Sequence, residues 1–226
     1  MTKQIADTKQ KRQRGRPSND KDLQVLILDS AEEVFAEHGF AGGRLRDIAA
    51  RANVNQALVN YYFGSKSSLF DEVFLRRGTH ISERREALLD ELLAASDTPS
   101  VEQIILAYLT PQWDMKYSGR GGAAFVKLQA RLHAEPEEHA LRLRREVYDE
   151  SAKRYITALH NALPYLSKET VGLRMAFVIG SYLFMLNDVD RLNDLTENQI
   201  GLIEKDQMLA QLSTFLCAGL MTPEAP

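Results

Sequence analysis

Residues 45–66 read LRDIAARANVNQALVNYYFGSK, and the spacing of their apolar residues predicts two short helices around a tight turn. The positions that would face inward are Ile48, Ala49, Ala52, Val54, Val59 and Phe63. Asn53 lies at the turn, where we predict a left-handed backbone, which Asn tolerates better than any residue except Gly. The outer face of the second helix would carry Asn55, Gln56, Ala57, Asn60 and Tyr61. This arrangement predicts a helix-turn-helix that presents polar side chains to a groove of DNA.

These residues resemble the DNA-binding domain of the TetR family of bacterial transcriptional regulators, whose usual text runs close to IAxxAGVSxxxLYYHFxSK. The matching positions are Ile48, Ala49, Ala52, Val54, Tyr61, Phe63, Ser65 and Lys66. Upstream, AEEVFAEHGF at residues 31–40 is similar to the family's first helix and its Gly-Phe exit. Four residues depart from the usual text: Asn53 replaces Gly, Leu58 replaces Thr or Ser, Asn60 replaces the first Tyr, and Tyr62 replaces His. The resemblance covers roughly residues 22–77 and implies a helical DNA-binding domain.

Base-reading residues are expected in the amino-terminal part of the second helix, because that end enters the major groove. Gln56 is the strongest candidate, since its amide can both donate to and accept from one adenine. Ala57 offers a methyl group to a thymine methyl, and Asn55 lies beside it at the start of the helix. Asn60, one turn further on, is a weaker candidate that would read a base or meet water.

Phosphate-contacting residues are expected around these readers. The resemblance implies phosphate contacts for Tyr61, Tyr62 and Lys66, and Lys66 at a helix start adds its charge to free backbone N–H groups. Arg44 and Arg46, at the start of the preceding helix, are predicted to act in the same way. For each of them, solvated surface charge is the alternative interpretation.

A basic arm precedes the motif. Residues 1–19 are polar, contain KQKRQRGRP at residues 9–17, and are predicted to be disordered in the free protein. Arg14-Gly15-Arg16-Pro17 resembles the core of an AT-hook, in which Arg14 and Arg16 would enter the minor groove of A·T-rich DNA. A solubilising tail is the alternative. Residues 1–77 carry a net charge of +3 and the remainder −6, which favours a protein that docks one end on phosphate.

Composition favours a cytoplasmic protein. The chain has 226 residues, of which 44% are hydrophobic, and a single cysteine, which suits a reducing compartment. No secretory signal is apparent at the amino terminus. The longest apolar run, at residues 175–186, is shorter than the roughly 20 residues that span a bilayer, so we predict a buried helix and no membrane partner.

The chain is predicted to be all-α, with three parts at residues 1–19, 20–77 and 78–226. Asn19 or Asp20 would cap the first helix, Gly39 would end it, and Ser65 would cap a fourth helix. Beyond residue 78, helical segments are predicted at 80–95, 100–117, 123–133, 137–163, 167–190 and 203–220. The first of these is either a separate helix or an extension of the fourth helix.

The family resemblance implies that the carboxy-terminal part is a helical domain that binds a small molecule and forms a homodimer through its last two helices. Candidate pocket residues are Tyr108, Trp113, Phe125, Gln129, Tyr148, Tyr155 and Tyr182. Candidate dimer-interface residues are Phe177, Gly180, Ser181, Phe184, Leu209, Leu212, Phe215 and Leu216. Core packing within one chain is the alternative for both sets.

Catalytic signatures are weak in this sequence. The cluster at residues 119–122 follows no predicted strand, and no nucleophile elbow is present. His133 and His139 stand six residues apart across Pro136, unlike the pair of a zinc helix. We therefore predict no enzyme, cofactor or metal, but a repressor that binds a near-palindromic operator as a homodimer and responds to a small effector. An activator or ligand-independent regulator of the same fold, and a protein that coats DNA nonspecifically, are the alternatives.

Overall fold

The computed structural model of the protein describes residues 20–134, 138–187, 189–197, 199 and 203–224. Across these residues the regular secondary structure is entirely α-helical, as the sequence predicted. The helices are α1 (Asp20–Gly42), α2 (Leu45–Arg51), α3 (Gln56–Phe63), α4 (Lys66–Ala95), α5 (Val101–Tyr117), α6 (Arg120–Ala134), α7 (Glu138–Ala162), α8 (Lys168–Asn187), α9 (Val189–Leu195) and α10 (Lys205–Met221). The helix-turn-helix is α2 and α3, and the later helices form a bundle in which α5 packs against α4, α6 and α10.

The helix-turn-helix rests on a small apolar core that α1 and α4 complete. Five of the six positions predicted to face inward are buried, and these are Ile48, Ala49, Ala52, Val59 and Phe63. The sixth, Val54, is partly buried against the same core. Behind them the rings of Phe35 on α1 and Phe70 on α4 meet edge to face at 5.0 Å. The two long helices therefore form a fixed support for α3.

The helix α4 joins the amino-terminal unit to the larger bundle without a break. It runs for 30 residues, so the segment predicted at 80–95 is its second half. The Ser65 hydroxyl oxygen accepts a hydrogen bond from the backbone N–H of Ser68 at 3.0 Å, which confirms the predicted cap. The boundary predicted near residue 78 falls inside this continuous helix, so a tilt of α4 in the bundle also moves the support of α3.

The start of α1 differs from the prediction. Asn19 lies outside the described residues, and Asp20 is the first residue of the helix instead of its cap. The Asp20 carboxylate accepts a hydrogen bond from the Tyr62 hydroxyl at 3.0 Å, so this side chain ties α1 to α3. At Gly39, the predicted end, φ is +69° and the helix is broken before one more turn reaches Gly42.

The corner between α5 and α6 accounts for the glycine cluster at residues 119–122. Gly119 has a φ of +112°, which L side chains rarely adopt. At Gly122 an added Cβ would lie 2.0 Å from the carbonyl oxygen of Met115, so a side chain has no room there. The tight corner lets α6 begin at Arg120, before the predicted start at residue 123.

The segment predicted as one helix at 167–190 is two helices in the structure. The first, α8, ends at Asn187, and the short α9 follows from Val189 to Leu195. The polar residues after 192 had indicated a break, but Asn193 and Asp194 lie inside α9. Their side chains are half-buried or exposed, and an exposed helical turn tolerates such polar residues at a small cost.

The helix α8 is covered on one side only, which corrects the prediction of a buried helix. It is long and apolar enough to cross a membrane by length and composition alone, and 28% of its most apolar window is buried. The buried side carries Val171, Met175, Val178, Tyr182 and Leu186. The other side exposes Leu173, Phe177 and Phe184. A contiguous exposed apolar surface of this kind is typical of an interaction site.

Candidate nucleic-acid interface and effector domain

The turn between α2 and α3 has the predicted left-handed residue. Asn53 has a φ of +55°, and the backbone N–H of Val54 donates to the Ala49 carbonyl at 3.0 Å. Asn55 then caps α3, because its Oδ1 accepts a hydrogen bond from the backbone N–H of Leu58 at 2.7 Å. The sequence predicts that Asn55 faces DNA. In the structure its side-chain oxygen is instead engaged in the hydrogen bond that stabilises the first turn of α3.

The first turns of α3 leave an uncovered face. Gln56, Ala57 and Asn60 are exposed, whereas Val59 and Phe63 on the other side of the helix are buried. The structure therefore brings the three predicted base readers together on one face at the amino-terminal part of α3. That end of a recognition helix is the one that approaches base edges in the major groove.

Tyr61 and Tyr62 have different surroundings although they are adjacent. Tyr61 is 80% exposed, and its ring meets the edge of the Tyr62 ring at 5.3 Å. Tyr62 is half-buried and donates its hydroxyl hydrogen to Asp20. Desolvation and this hydrogen bond raise the pKa of the Tyr62 phenol above its usual value. Tyr62 is thus held in place by α1, and Tyr61 is open to a partner.

Lys66 has a structural contact that the sequence did not reveal. Its Nζ donates a hydrogen bond to the Ala41 carbonyl oxygen at 3.2 Å and lies 4.7 Å from the centre of the Phe40 ring. The ammonium therefore joins the start of α4 to the last turn of α1. For Lys66 to contact a DNA phosphate as predicted, its ammonium must bind the Ala41 carbonyl oxygen and the phosphate at the same time.

Most cations of the amino-terminal unit are paired within the protein. Arg51 pairs with Glu33 and Glu37 at 3.2 and 3.1 Å, and the hydrogen bond to Glu37 raises the pKa of Arg51. Arg44 and Arg46 are exposed, and Arg46 lies 3.4 Å from Asp47. Residues 20–77 hold seven Lys and Arg against nine Asp and Glu, so the positive charge of the amino-terminal 77 residues comes from the arm. Arg14 and Arg16 in that arm lie outside the described residues.

All seven predicted pocket residues are buried, and the structure brings them into one aromatic and polar cluster in the bundle. The rings of Tyr108 and Tyr155 lie 5.0 Å apart, and those of Tyr108 and Tyr182 5.9 Å apart. Gln129 donates to the Tyr148 hydroxyl at 2.9 Å. The remaining members, Trp113 and Phe125, pack against Tyr182 and Phe74.

The sequence reasoning missed Arg85, which lies at the centre of this cluster. Its guanidinium carbon is 3.8 Å from the centre of the Tyr108 ring, and its Nε donates to the Tyr108 carbonyl oxygen at 2.9 Å. One signal was available in the sequence, because Ile81, Arg85 and Leu89 are spaced at i, i+4 and i+8 and share the buried face of α4.

Two parts of the chain match known families. Residues 27–73 match the family described as bacterial regulatory proteins, tetR family. Residues 106–219, half of the chain, match the family described as tetracyclin repressor-like, C-terminal domain. The chain belongs to the TetR family. This confirms the resemblance that the helix-turn-helix residues carried.

Several characterised regulators are similar to short stretches of this TetR-family chain. The HTH-type transcriptional repressor NicS of Pseudomonas putida is 47% identical over 47 residues, which cover 21% of this chain and 22% of NicS. The HTH-type transcriptional repressor Rv3405c of Mycobacterium tuberculosis is 39% identical over 66 residues, covering 29% of this chain and 35% of that protein. The matches thus span about a third or less of these relatives.

Most of this chain has the same fold as solved structures of TetR-like regulators. The crystal structure of HlyIIR, a hemolysin II transcriptional regulator, gives a TM-score of 0.61 at 18% identity and covers 89% of this chain and 98% of that one. A TetR-like transcriptional regulator from Rhodococcus sp. RHA1 gives a TM-score of 0.64 at 18% identity, with 88% and 95% covered. An amino-terminal helix-turn-helix followed by a carboxy-terminal helical domain is therefore the TetR-family fold of this protein.

The predicted dimer residues divide into two groups. Phe177, Phe184 and Phe215 are 62%, 46% and 70% exposed, and Gly180 and Ser181 are exposed or half-buried on α8 beside them. Gly180, Ser181, Phe184 and Phe215 line a groove of about 540 Å³ between α8 and α10, and Phe177 is exposed on α8 outside its lining. Leu209, Leu212 and Leu216 are instead buried in the single chain, on the side of α10 that packs towards α5 and α8. Leu209 and Leu216 therefore belong to the intrachain core, whereas Leu212 is buried and also lines the groove; the free apolar surface comes from the first group.

A partly buried ion cluster, centred on the buried Glu32, holds α1 to α4, and we define it as Asp29, Glu32, Arg76 and Arg77. Glu32 is fully buried on α1, and its Oε2 lies 3.0 Å from both Arg76 and Arg77 on α4. Arg76 also pairs with Asp29 at 2.9 Å. The helix α6 packs along α1 beside this cluster, where a Cβ on Gly121 would lie 2.7 Å from both Glu32 and Arg77. The ion cluster thus stands where the helix-turn-helix unit meets the bundle.

Proposed function

We propose that this TetR-family protein is a DNA-binding transcriptional repressor that binds a near-palindromic operator as a homodimer. The observation that carries the proposal is the exposed face of Gln56, Ala57 and Asn60 on a capped α3, because a recognition helix needs polar and methyl groups there. The activity is binding, with no covalent step, and it takes place in the cytoplasm.

The homodimer forms through the exposed apolar side of α8 and α10. Phe177, Phe184 and Phe215 are too exposed to stabilise the single chain, and a second copy related by a two-fold axis would cover them. The axis places two copies of α3 against two half-sites of inverted sequence, separated by about one helical turn of DNA or a multiple of it. This geometry is the reason to expect a palindrome.

The arm supplies the general attraction to DNA. Residues 1–19 hold six Lys and Arg against one Asp, whereas residues 20–77 are slightly acidic. Arg14 and Arg16 enter the minor groove beside the operator, and Arg44, Arg46, Tyr61 and Lys66 contact phosphates from the helix-turn-helix unit. Without the arm, the unit approaches DNA with no net positive charge.

A small effector releases the protein from the operator. Its site is the buried cluster of α4, α5, α6, α7 and α8, and α4 continues from there to the support of α3. The effector favours a conformation in which the two copies of α3 fit their half-sites less well, and its differential affinity sets the size of the response. In a reporter assay a repressor lowers expression from the operator-bearing promoter, whereas an activator of the same fold would raise it.

Replacing Gln56 by Ala is expected to weaken binding to the operator by about 1–3 kcal/mol and to leave binding to unrelated DNA nearly unchanged, because a lost base contact removes sequence information only. The matched control is Arg44→Ala, which removes an exposed cation. It should weaken all DNA alike and reduce the slope of log affinity against log salt by about 0.9. Fluorescence anisotropy over a salt series measures both. Equal proportional losses on operator and unrelated DNA for both variants would contradict the assignment of Gln56 as a reader.

A further inference from the structure

The centre of the carboxy-terminal bundle holds a positive charge that no acidic side chain of the described residues neutralises. Arg85 on α4 is 1% exposed, and its guanidinium lies between the rings of Tyr108 and Tyr182, at 3.8 and 5.7 Å from their centres. Its Nε donates to the Tyr108 carbonyl oxygen at 2.9 Å, and its Nη2 reaches the Tyr182 hydroxyl at 3.5 Å. Among the described residues, no carboxylate lies within ion-pairing distance of this guanidinium.

The surrounding groups do not neutralise this charge. An arginine remains protonated in any protein environment, and two aromatic faces and two oxygens replace only part of its hydration. Burial raises the pKa values of the Tyr108 and Tyr148 phenols far above neutrality, so both hydroxyls stay protonated. A buried charge of this kind is costly unless an opposite charge accompanies it. The free protein therefore retains a strong preference for an anion beside Arg85.

The side-chain oxygen of Gln112, in the same cluster, is buried and has no hydrogen-bond partner among the described residues. Gln112 is fully buried one turn after Tyr108 on α5, and its Nε2 donates to Gln129 at 2.6 Å. Buried amide oxygens normally accept a hydrogen bond, so a ligand that donates one would stabilise Gln112. The cluster thus contains a cation on α4 without a matching anion and, on α5, one turn after the Tyr108 carbonyl that Arg85 contacts, a buried acceptor without a donor.

We infer that the effector of this protein is an organic carboxylate, whose anionic group pairs with Arg85 while its apolar body lies among Tyr108, Tyr182 and Trp113. A single arginine with neutral hydroxyls beside it matches a carboxylate in charge and in planar geometry. A phosphate dianion would need further cations that this cluster does not hold. A hydroxyl on the ligand would donate to Gln112, so hydroxy acids are favoured within the class.

The position of Arg85 also connects the ligand to the reader. The ligand reaches Arg85 by parting the side chains of α5 and α8 that cover it, and Arg85 belongs to α4, whose first turn supports α3. A displacement of α4 at Arg85 is therefore carried along one rigid helix to the helix-turn-helix. This step rests on the proposed function, whereas the carboxylate site itself does not.

The test measures ligand binding by thermal unfolding of the full chain, without DNA. The probes are octanoate, benzoate and para-hydroxybenzoate, each paired with its uncharged amide. At a concentration a hundred times its Kd, a carboxylate should raise the midpoint of unfolding by about 5 °C, and its amide should not. In Arg85→Met the affinity for that carboxylate should fall about 30-fold, because a charge-assisted pair is lost. Arg85→Lys, which keeps the charge but not the fork, should recover part of this loss.

The same variant separates ligand recognition from a structural role. If Arg85 binds a ligand anion, Arg85→Met in the absence of ligand should unfold at the same or a higher temperature than the parent protein. A large fall in the unfolding midpoint of Arg85→Met, equal stabilisation by acid and amide, or no stabilisation by any of the three acids would each overturn the inference. Failure of the parent protein to bind any operator would overturn the proposed function and leave the carboxylate result standing.

Discussion

Replacing Phe215 by Arg should convert the protein into a folded monomer that binds its operator about 100-fold more weakly. Phe215 is 70% exposed on α10 and lines the groove with Phe184 and Gly180, so the single chain loses little when the ring is removed. In the homodimer an arginine at this position would be buried without a partner against its own symmetry mate. The two readers would then bind separately, and the gain from binding two half-sites on one DNA molecule would be lost.

Sedimentation, circular dichroism and operator titration measure this effect together. The matched control is Leu93→Arg, which places the same charge on an exposed leucine near the end of α4, away from the groove. It should leave both the dimer and operator binding unchanged. A Phe215→Arg protein that remains dimeric and binds the operator normally would place the interface on another surface, and an unfolded one would assign Phe215 to the intrachain core.

Replacing Glu32 by Ala should lower the free energy of unfolding by about 3 kcal/mol, since Arg76 and Arg77 would lose their buried counterion. Glu32 is fully buried, while the side chains of these arginines are 25% and 29% exposed. Because water can partly solvate the arginines, the expected loss of unfolding free energy lies near the lower end of the range for a broken buried ion pair. Because the ion cluster holds α1 to α4, operator affinity should fall as well. Urea unfolding at neutral pH measures the stability change.

The neighbouring residue provides the control for this prediction. Glu33 lies on the same helix and pairs with Arg51 at 3.2 Å, but both side chains are partly exposed. A solvent-exposed pair contributes about 1 kcal/mol or less, so Glu33→Ala should have a small effect. If the Glu32 and Glu33 variants have the same stability, the ion cluster is not a principal link between the helix-turn-helix unit and the bundle.

The helix-turn-helix was predictable because its signals are local. The left-handed Asn53, the Ser65 cap and the inward positions of Ile48 and Phe63 depend on residues within a few turns of one another. Local sequence encodes such features directly through backbone preference and helical spacing. The exposed position of Gln56 follows from the same spacing, so its candidacy as a reader needed no tertiary information.

The carboxy-terminal bundle was less predictable because its contacts join distant parts of the chain. Arg85 is enclosed by side chains from α5 and α8, whereas the adjacent Arg84 is exposed. In the local sequence, the two arginines differ only in which side of α4 they occupy. The helical spacing predicts that the leucines of α10 share one apolar stripe with Phe215. Adjacent residues on a helix point about 100° apart, and only the packed structure decides that Leu216 faces the core while Phe215 faces outward.

Selection from random duplex DNA measures whether the protein recognises a specific sequence as a symmetric dimer. The purified full chain is incubated with the random library at physiological salt, and the bound DNA is sequenced after several rounds. We expect one enriched motif with two inverted half-sites, whose centres lie about one helical turn or a multiple of it apart. Enrichment of A·T-rich DNA without an inverted repeat, or no enrichment at all, would contradict this expectation.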